Sequence, residues 1–358
     1  MTRHVVFGTG QVGRPLVEQL LTLGHDVIAV NRSGRGFIRG AEFVAGDATA
    51  PAFTTRVAAG ADVVYFCLNA TNYDRWAEQF PPLQRAVLTG AEAAGARLVV
   101  LDNLYAYGPT CGRDLVETMQ EQPTSTKAAT RAAMTAELLN AHNAGRVEVA
   151  IGRASDYFGP GATQSALGGT VFGTALTGRT AQVMGNPDQS HSYSYTPDVA
   201  AALITLGTQP GATGTVWHLP VAEARSTRQI IDHVYRLAGH KTRSYAAGRT
   251  TLSLLGVIKA GDARIPEHPL SVHRPLGSGR QEVPDCVRCP RHRPRRRPRG
   301  HPAVVSQHRR SRRAGPRGPP VKRFVTTETG LLNTRLHLLP CSRPPVNHGP
   351  MPTKKDTS

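Results

Sequence analysis

The chain contains no run of about 18 apolar residues, so no segment is expected to span a membrane. Its opening, MTRHVVFGTG, lacks an apolar stretch followed by a small-residue cleavage site. It therefore reads as cytoplasmic rather than secreted. Cysteine is sparse and unevenly placed, at Cys67, Cys111, Cys286, Cys289 and Cys341. An odd, scattered set reads as reduced thiols, not as a disulfide framework. Acidic residues are scarce only locally. Residues 1–258 hold 21 Lys+Arg and 19 Asp+Glu, whereas residues 259–358 hold 22 and 6. The formal net charge of +18 thus belongs almost wholly to the last hundred residues, which also carry 16 of the 27 prolines. His4, His25, His191 and His218 fall at no ligand spacing, and no metal site is expected from them.

The first 258 residues alternate two kinds of pattern. Short apolar runs at 4–8, 26–31, 42–45, 62–68, 97–101, 147–152 and 215–219 predict strands. Residues 12–23, with Val12, Leu16, Leu20 and Leu23 near every fourth position, predict a helix that stops at Gly24. Further helices are expected over about 74–94, 126–143, 197–207 and 226–239, the last with Ser226 as N-cap. Continuous apolar strands separated by helices predict a doubly wound parallel α/β sheet covered on both faces.

Gly8-Thr9-Gly10-Gln11-Val12-Gly13 is a G-x-G-x-x-G on the turn between the first strand and the first helix. Gly8 suits the tight turn, Gly10 lets backbone approach a pyrophosphate, and Gly13 lets the helix pack close to the strand. The free N–H groups of the helix start attract phosphate. A dinucleotide site usually places Asp or Glu at the end of the second strand for the ribose 2′-OH. Here Asn31-Arg32-Ser33 stands there, with Arg35 nearby. Arg32 can pair with a 2′-phosphate, so NADP(H) is favoured over NAD(H). Asp47, followed by Ala48, reads either as an adenine contact or as a turn or helix-cap residue before Pro51.

Taken in order, several segments resemble the short-chain dehydrogenase/reductase superfamily, and its NAD-dependent epimerase/dehydratase branch in particular. They are Gly8–Gly13, Gly46-Asp47, Leu68-Asn69-Ala70, Tyr105-Ala-Tyr107-Gly108-Pro109, the run from Arg153 to Pro160, and Tyr195-Thr-Pro-Asp198. The resemblance spans about residues 3–255. It implies a Rossmann-like cofactor domain with a smaller substrate lobe, an oxidoreductase or epimerase/dehydratase acting on a small carbonyl or sugar-like substrate, and cofactor contacts from Leu68 and Asn69. It also implies a homodimer through helices 74–94 and 126–143. The family's Tyr-x-x-x-Lys pair is absent, however. Lys127 falls at its Tyr position and Arg131 at its Lys position, while Asn103 falls at the Ser/Thr position. Lys127 could act as general acid, Asn103 could donate to a substrate oxygen, and Tyr105 or Tyr107 could replace the missing phenol; Arg131 could hold the nicotinamide ribose. These substitutions leave open a non-catalytic cofactor sensor of the same fold.

From about residue 259 the periodicity ends. Residues 288–320 are Arg, Pro, His and Gly with few apolar side chains, a composition expected to be disordered. This stretch reads either as a basic tail that could bind nucleic acid or as a GC-rich gene read out of frame beyond residues 255–270, which would leave the substrate lobe incomplete. Cys286-x-x-Cys289 with His301 and His308 misses zinc-finger spacing.

Overall fold

The computed structural model describes residues 1–70, 75–109 and 114–247. The expected tail over 259–358, its shifted frame and nucleic-acid role, the domain boundary at 258, and every cysteine but Cys67 lie outside these residues.

The chain begins with strand β1 (Arg3–Phe7), helix α1 (Gly13–Thr22), β2 (Asp26–Asn31), β3 (Glu42–Ala45), α2 (Pro51–Ala58) and β4 (Val63–Phe66). It continues through α3 (Trp76–Ala94), β5 (Arg97–Asn103), a short 3-10 turn (Tyr105–Tyr107), α4 (Thr126–Asn143) and β6 (Val149–Ala154). Next come β7 (Asp156–Phe158), a π-helical turn (Gly168–Gly173), β8 (Ala181–Met184), β9 (Ser190–His191) and β10 (Tyr193–Tyr195). The last elements are α5 (Thr196–Thr208), β11 (Val216–His218), β12 (Arg225–Ser226), α6 (Thr227–Leu237) and β13 (Ser244–Ala247).

Seven strands form one parallel sheet in the order β11-β6-β5-β4-β1-β2-β3. Successive side chains of a strand point to opposite faces, and in the central strands both faces are buried. Val5 and Phe7 join the core beneath α2, α3 and α4, whereas Val6 joins the core beneath α1 and α5. All three are fully buried, which is why β1 reads as an unbroken apolar run. This is the expected doubly wound, Rossmann-like architecture. The strand order reverses between β1 and β4, opening a crevice at their carboxyl ends.

The later segments build a smaller lobe. Parallel pairs β7–β10 and β8–β13 and the antiparallel pair β9–β12 replace the long strands. Ile231 and Tyr235 of α6 pack there against Leu167, Val171, Ala181 and Tyr193. Ser226 does cap α6: its hydroxyl accepts from the Gln229 N–H, and the Gln229 side chain accepts from the Ser226 N–H at 2.9 Å. Loss of this reciprocal cap in Ser226→Ala should cost about 1 kcal/mol in urea unfolding. An unchanged midpoint would mean that α6 is held by its apolar face alone.

Candidate active site

A cleft of about 1140 Å³ runs along the carboxyl ends of the sheet strands. The glycine turn forms one wall. Gly8 has φ +101°, and a Cβ there would lie 2.6 Å from the Cys67 carbonyl oxygen. A Cβ on Gly13 would lie 1.7 Å from the Gly8 carbonyl oxygen, so α1 can start where it does only with glycine at that position. Gly10 differs: a Cβ there would meet no atom within 4 Å and would extend into open space at the cleft wall. Thr9, Gln11 and Val12 line the same wall, while Gly13 stays behind it.

The carboxyl end of β2 is tied to this turn. The Asn31 amide donates to Thr9 Oγ1 and to the Arg35 carbonyl, both at 3.0 Å, and its oxygen accepts from the Ser33 N–H at 3.1 Å. Asn31 is therefore a brace, with little capacity left for a ribose. Arg32, Ser33 and Arg35 line the cleft beside it. Asp47 uses one carboxylate oxygen in a turn, accepting from the Thr49 N–H at 2.9 Å and the Thr49 hydroxyl at 2.8 Å. These bonds, backbone first, and the nearby Arg32 charge hold its carboxyl below the ordinary value. Asp47 is thus a turn residue, and with Ala48 it also lines the cleft. Cys67, Leu68 and Asn69 follow β4 and also line the cleft, with Cys67 directly against the glycine turn. Burial pushes the Cys67 thiol up to about 12, so it stays protonated.

Deeper in the cleft, β5 ends in Asp102-Asn103. Asn103 Oδ1 accepts from the Tyr105 N–H at 3.1 Å, leaving the amide N–H groups of Asn103 for another acceptor. Tyr105, Trp76 and Phe80 form an aromatic wall, with ring centroids 5.8 Å apart for Trp76–Tyr105 and 5.2 Å for Trp76–Phe80. Arg131 lies over Phe80, its guanidinium carbon 4.5 Å from the ring centroid.

Arg131 is 3% exposed and ion-paired with Asp102, Nε donating to Oδ1 at 2.6 Å. Arg153 of β6 donates to the other Asp102 oxygen at 2.9 Å and also pairs with Glu121. Burial alone would push the Asp102 carboxyl up. The two guanidiniums outweigh it and hold the carboxyl below its usual value. Arg131 Nη1 is buried with no hydrogen-bond partner among the described residues, and Arg131 lines the cleft. An orphaned buried donor is costly unless a ligand completes it. That donor and the open space at Gly10 both fit a dinucleotide lying along the cleft.

The structure thus brings together Gly8, Thr9, Gly10, Gln11, Val12, Asn31, Arg32, Asp47, Ala48, Leu68, Asn69, Asn103, Tyr105 and Arg131. Lys127 is half-buried in the first turn of α4 and is not among the cleft-lining residues. Sequence reasoning did not single out Asp102 as the shared partner of Arg131 and Arg153, and it passed over Tyr157, which lines the cleft. The one available signal for Asp102 was a carboxylate set directly after the apolar run 98–101 of β5.

Among the described residues, no helix is long and apolar enough to cross a membrane, and no group of His, Cys, Asp and Glu could hold a metal ion.

The profile of the NAD dependent epimerase/dehydratase family matches residues 5–219. No curated protein sequence matches the chain. Among solved structures, dTDP-glucose 4,6-dehydratase from Bacillus anthracis, in complex with NAD, superposes with a TM-score of 0.62 at 14% identity, covering 69% of this chain and 85% of that one. UDP-glucuronic acid 4-epimerase from Bacillus cereus, in complex with UDP-glucuronic acid and NAD, gives 0.61 at 15%, covering 68% and 85%. An epimerase from Methanothermobacter thermautotrophicus gives 0.63 at 17%, covering 69% and 80%. At such identities the likeness is one of fold.

Proposed function

Because the chain belongs to the NAD-dependent epimerase/dehydratase family, we propose that its cleft binds NADP(H) in preference to NAD(H) and acts on a small carbonyl or sugar-like substrate. The carrying observation is the glycine turn with open space at Gly10, placed where the strand order reverses. When bound, the nicotinamide would supply or accept a hydride. The α1 start would hold the pyrophosphate, Asp47 would face the adenine, and Arg131 Nη1 would meet the nicotinamide ribose. Asn103 would donate to a substrate oxygen beside the aromatic wall. NAD named with two of the solved relatives supports a nicotinamide cofactor. The preference for a 2′-phosphate rests on Arg32 and Arg35, which line the cleft beside Asn31, where a dinucleotide site otherwise carries an acid.

Calorimetric titration of the full chain with NADPH and NADH tests this reading. NADPH should bind more tightly. Arg32→Ala should weaken NADPH about tenfold, a loss of about 1.4 kcal/mol, and leave NADH within about twofold. Equal affinity for the two cofactors in the wild type would sink the preference.

The placement of Lys127 outside the cleft lining favours a second reading, in which the protein senses the cofactor without turnover. Oxidation of NADPH in the presence of small carbonyl compounds separates the two. A cytoplasmic location and a homodimer through α3 and α4 belong to the same proposal.

A further inference from the structure

Resting on that cofactor reading, we propose that the Tyr157 hydroxyl gives the proton to the substrate oxygen, the role that sequence position assigned to Lys127. Lys127 does not line the cleft and Tyr157 does. Four other hydroxyls along the cleft already donate, Ser33 to the Asn31 side chain and Ser165 to the Ala162 carbonyl among them. Ser155 donates to the Ser192 carbonyl and Thr49 to Asp47. The Tyr157 hydroxyl makes no hydrogen bond among the described residues, although β7 holds its backbone firmly in register, Tyr157 opposite Ser194 of β10.

The charged and titratable neighbours of this phenol come from four elements: Cys67 after β4, Arg131 on α4, Asp102 on β5, and Asp156 beside it on β7. Burial, the largest influence, raises its pKa and keeps the proton on oxygen until an alkoxide forms. Arg131 favours the phenolate left behind. Asp102 and Asp156 oppose it, Asp102 in part only, because its own charge is shared between two guanidiniums.

The step balances as follows. The carbonyl carbon of the substrate takes a hydride from the reduced cofactor, and the π pair of the C=O bond moves to oxygen. The Tyr157 O–H bond breaks, its proton bonds to that oxygen, and water returns a proton to the phenolate.

Two measurements on the full chain test the assignment. N-acetylimidazole, read by mass spectrometry, should acetylate Tyr157. NADP⁺ should protect it at least tenfold, whereas adenosine 2′,5′-bisphosphate, which fills only the adenine half, should not. Tyr157→Phe keeps the ring and removes the proton. It should bind NADPH within twofold of wild type yet oxidise it at least about 100-fold more slowly with those small aldehydes and ketones the wild type reduces. Equal protection by the bisphosphate, turnover of Tyr157→Phe within threefold of wild type, or a wild type that binds NADPH and reduces none of these carbonyls would each overturn the assignment. Absence of NADPH binding by the wild type would overturn the cofactor reading and this one with it.

Discussion

Asp102→Ala should destabilise the protein by about 3–5 kcal/mol, a large fraction of a typical folding free energy. The carboxylate is 3% exposed and is the shared partner of Arg131 and Arg153, themselves 3% and 2% exposed. It joins β5 to α4 and to β6. Removing it leaves two buried positive charges facing each other, with only Glu121, at the edge of the network, to offset Arg153. Urea unfolding measures the loss, and a value under about 1 kcal/mol would mean that water reaches the network. The pH dependence has a definite sign. The folded carboxyl is held below its unfolded value, so its stabilising contribution is complete above about pH 4 and fades as pH falls through the folded pKa. Asp102→Ala should therefore flatten the acid limb of the stability profile while lowering the plateau near neutral pH.

Gly10→Val should do the opposite, sparing the fold and abolishing the ligand. A Cβ at Gly10 meets no protein atom within 4 Å beyond its chain neighbours, so the unfolding midpoint should stay close to that of wild type. The same atoms would stand where the pyrophosphate must approach the backbone. NADPH affinity should drop at least about 100-fold, or about 2.8 kcal/mol. Calorimetry and thermal melting together decide it. A Gly10→Val protein that binds as well as wild type would mean that phosphates do not lie against this turn.

Much of the sheet was legible because its strands are buried on both faces and its helices are long. The helix expected over 126–143 matches α4, and β2 and β3 fall where their apolar runs end. Legibility failed where elements are short. Helix α2 has eight residues, opened by Pro51 and interrupted by Thr54, Thr55 and Arg56, and was not among the helices expected from the sequence. The strands of the smaller lobe run two to four residues, too few for a period to emerge.

The cleft wall was readable from the glycine spacing, since local backbone sterics set it. The Arg131 environment was not. Its partner Asp102 lies 29 residues away on another element, and pairing of that kind leaves no periodic trace. The residues from Arg153 to Pro160 were recognised as a segment, but which of their side chains faces the cleft depends on the pleat of β7, only three residues long.

The brace at Asn31 bears on how coenzyme preference could drift or be redesigned. The customary acid of an NAD site cannot simply be written in at this position. Aspartate has no N–H to offer Thr9 or the Arg35 carbonyl, and its second oxygen would face that carbonyl instead. A single exchange would first unfasten the 31–35 loop from the glycine turn and only afterwards present a carboxylate to a ribose. If the phosphorylated coenzyme is preferred as proposed, that preference would be guarded by a fitness valley: a second change in the loop would have to come first, or the intermediate would bind neither coenzyme well.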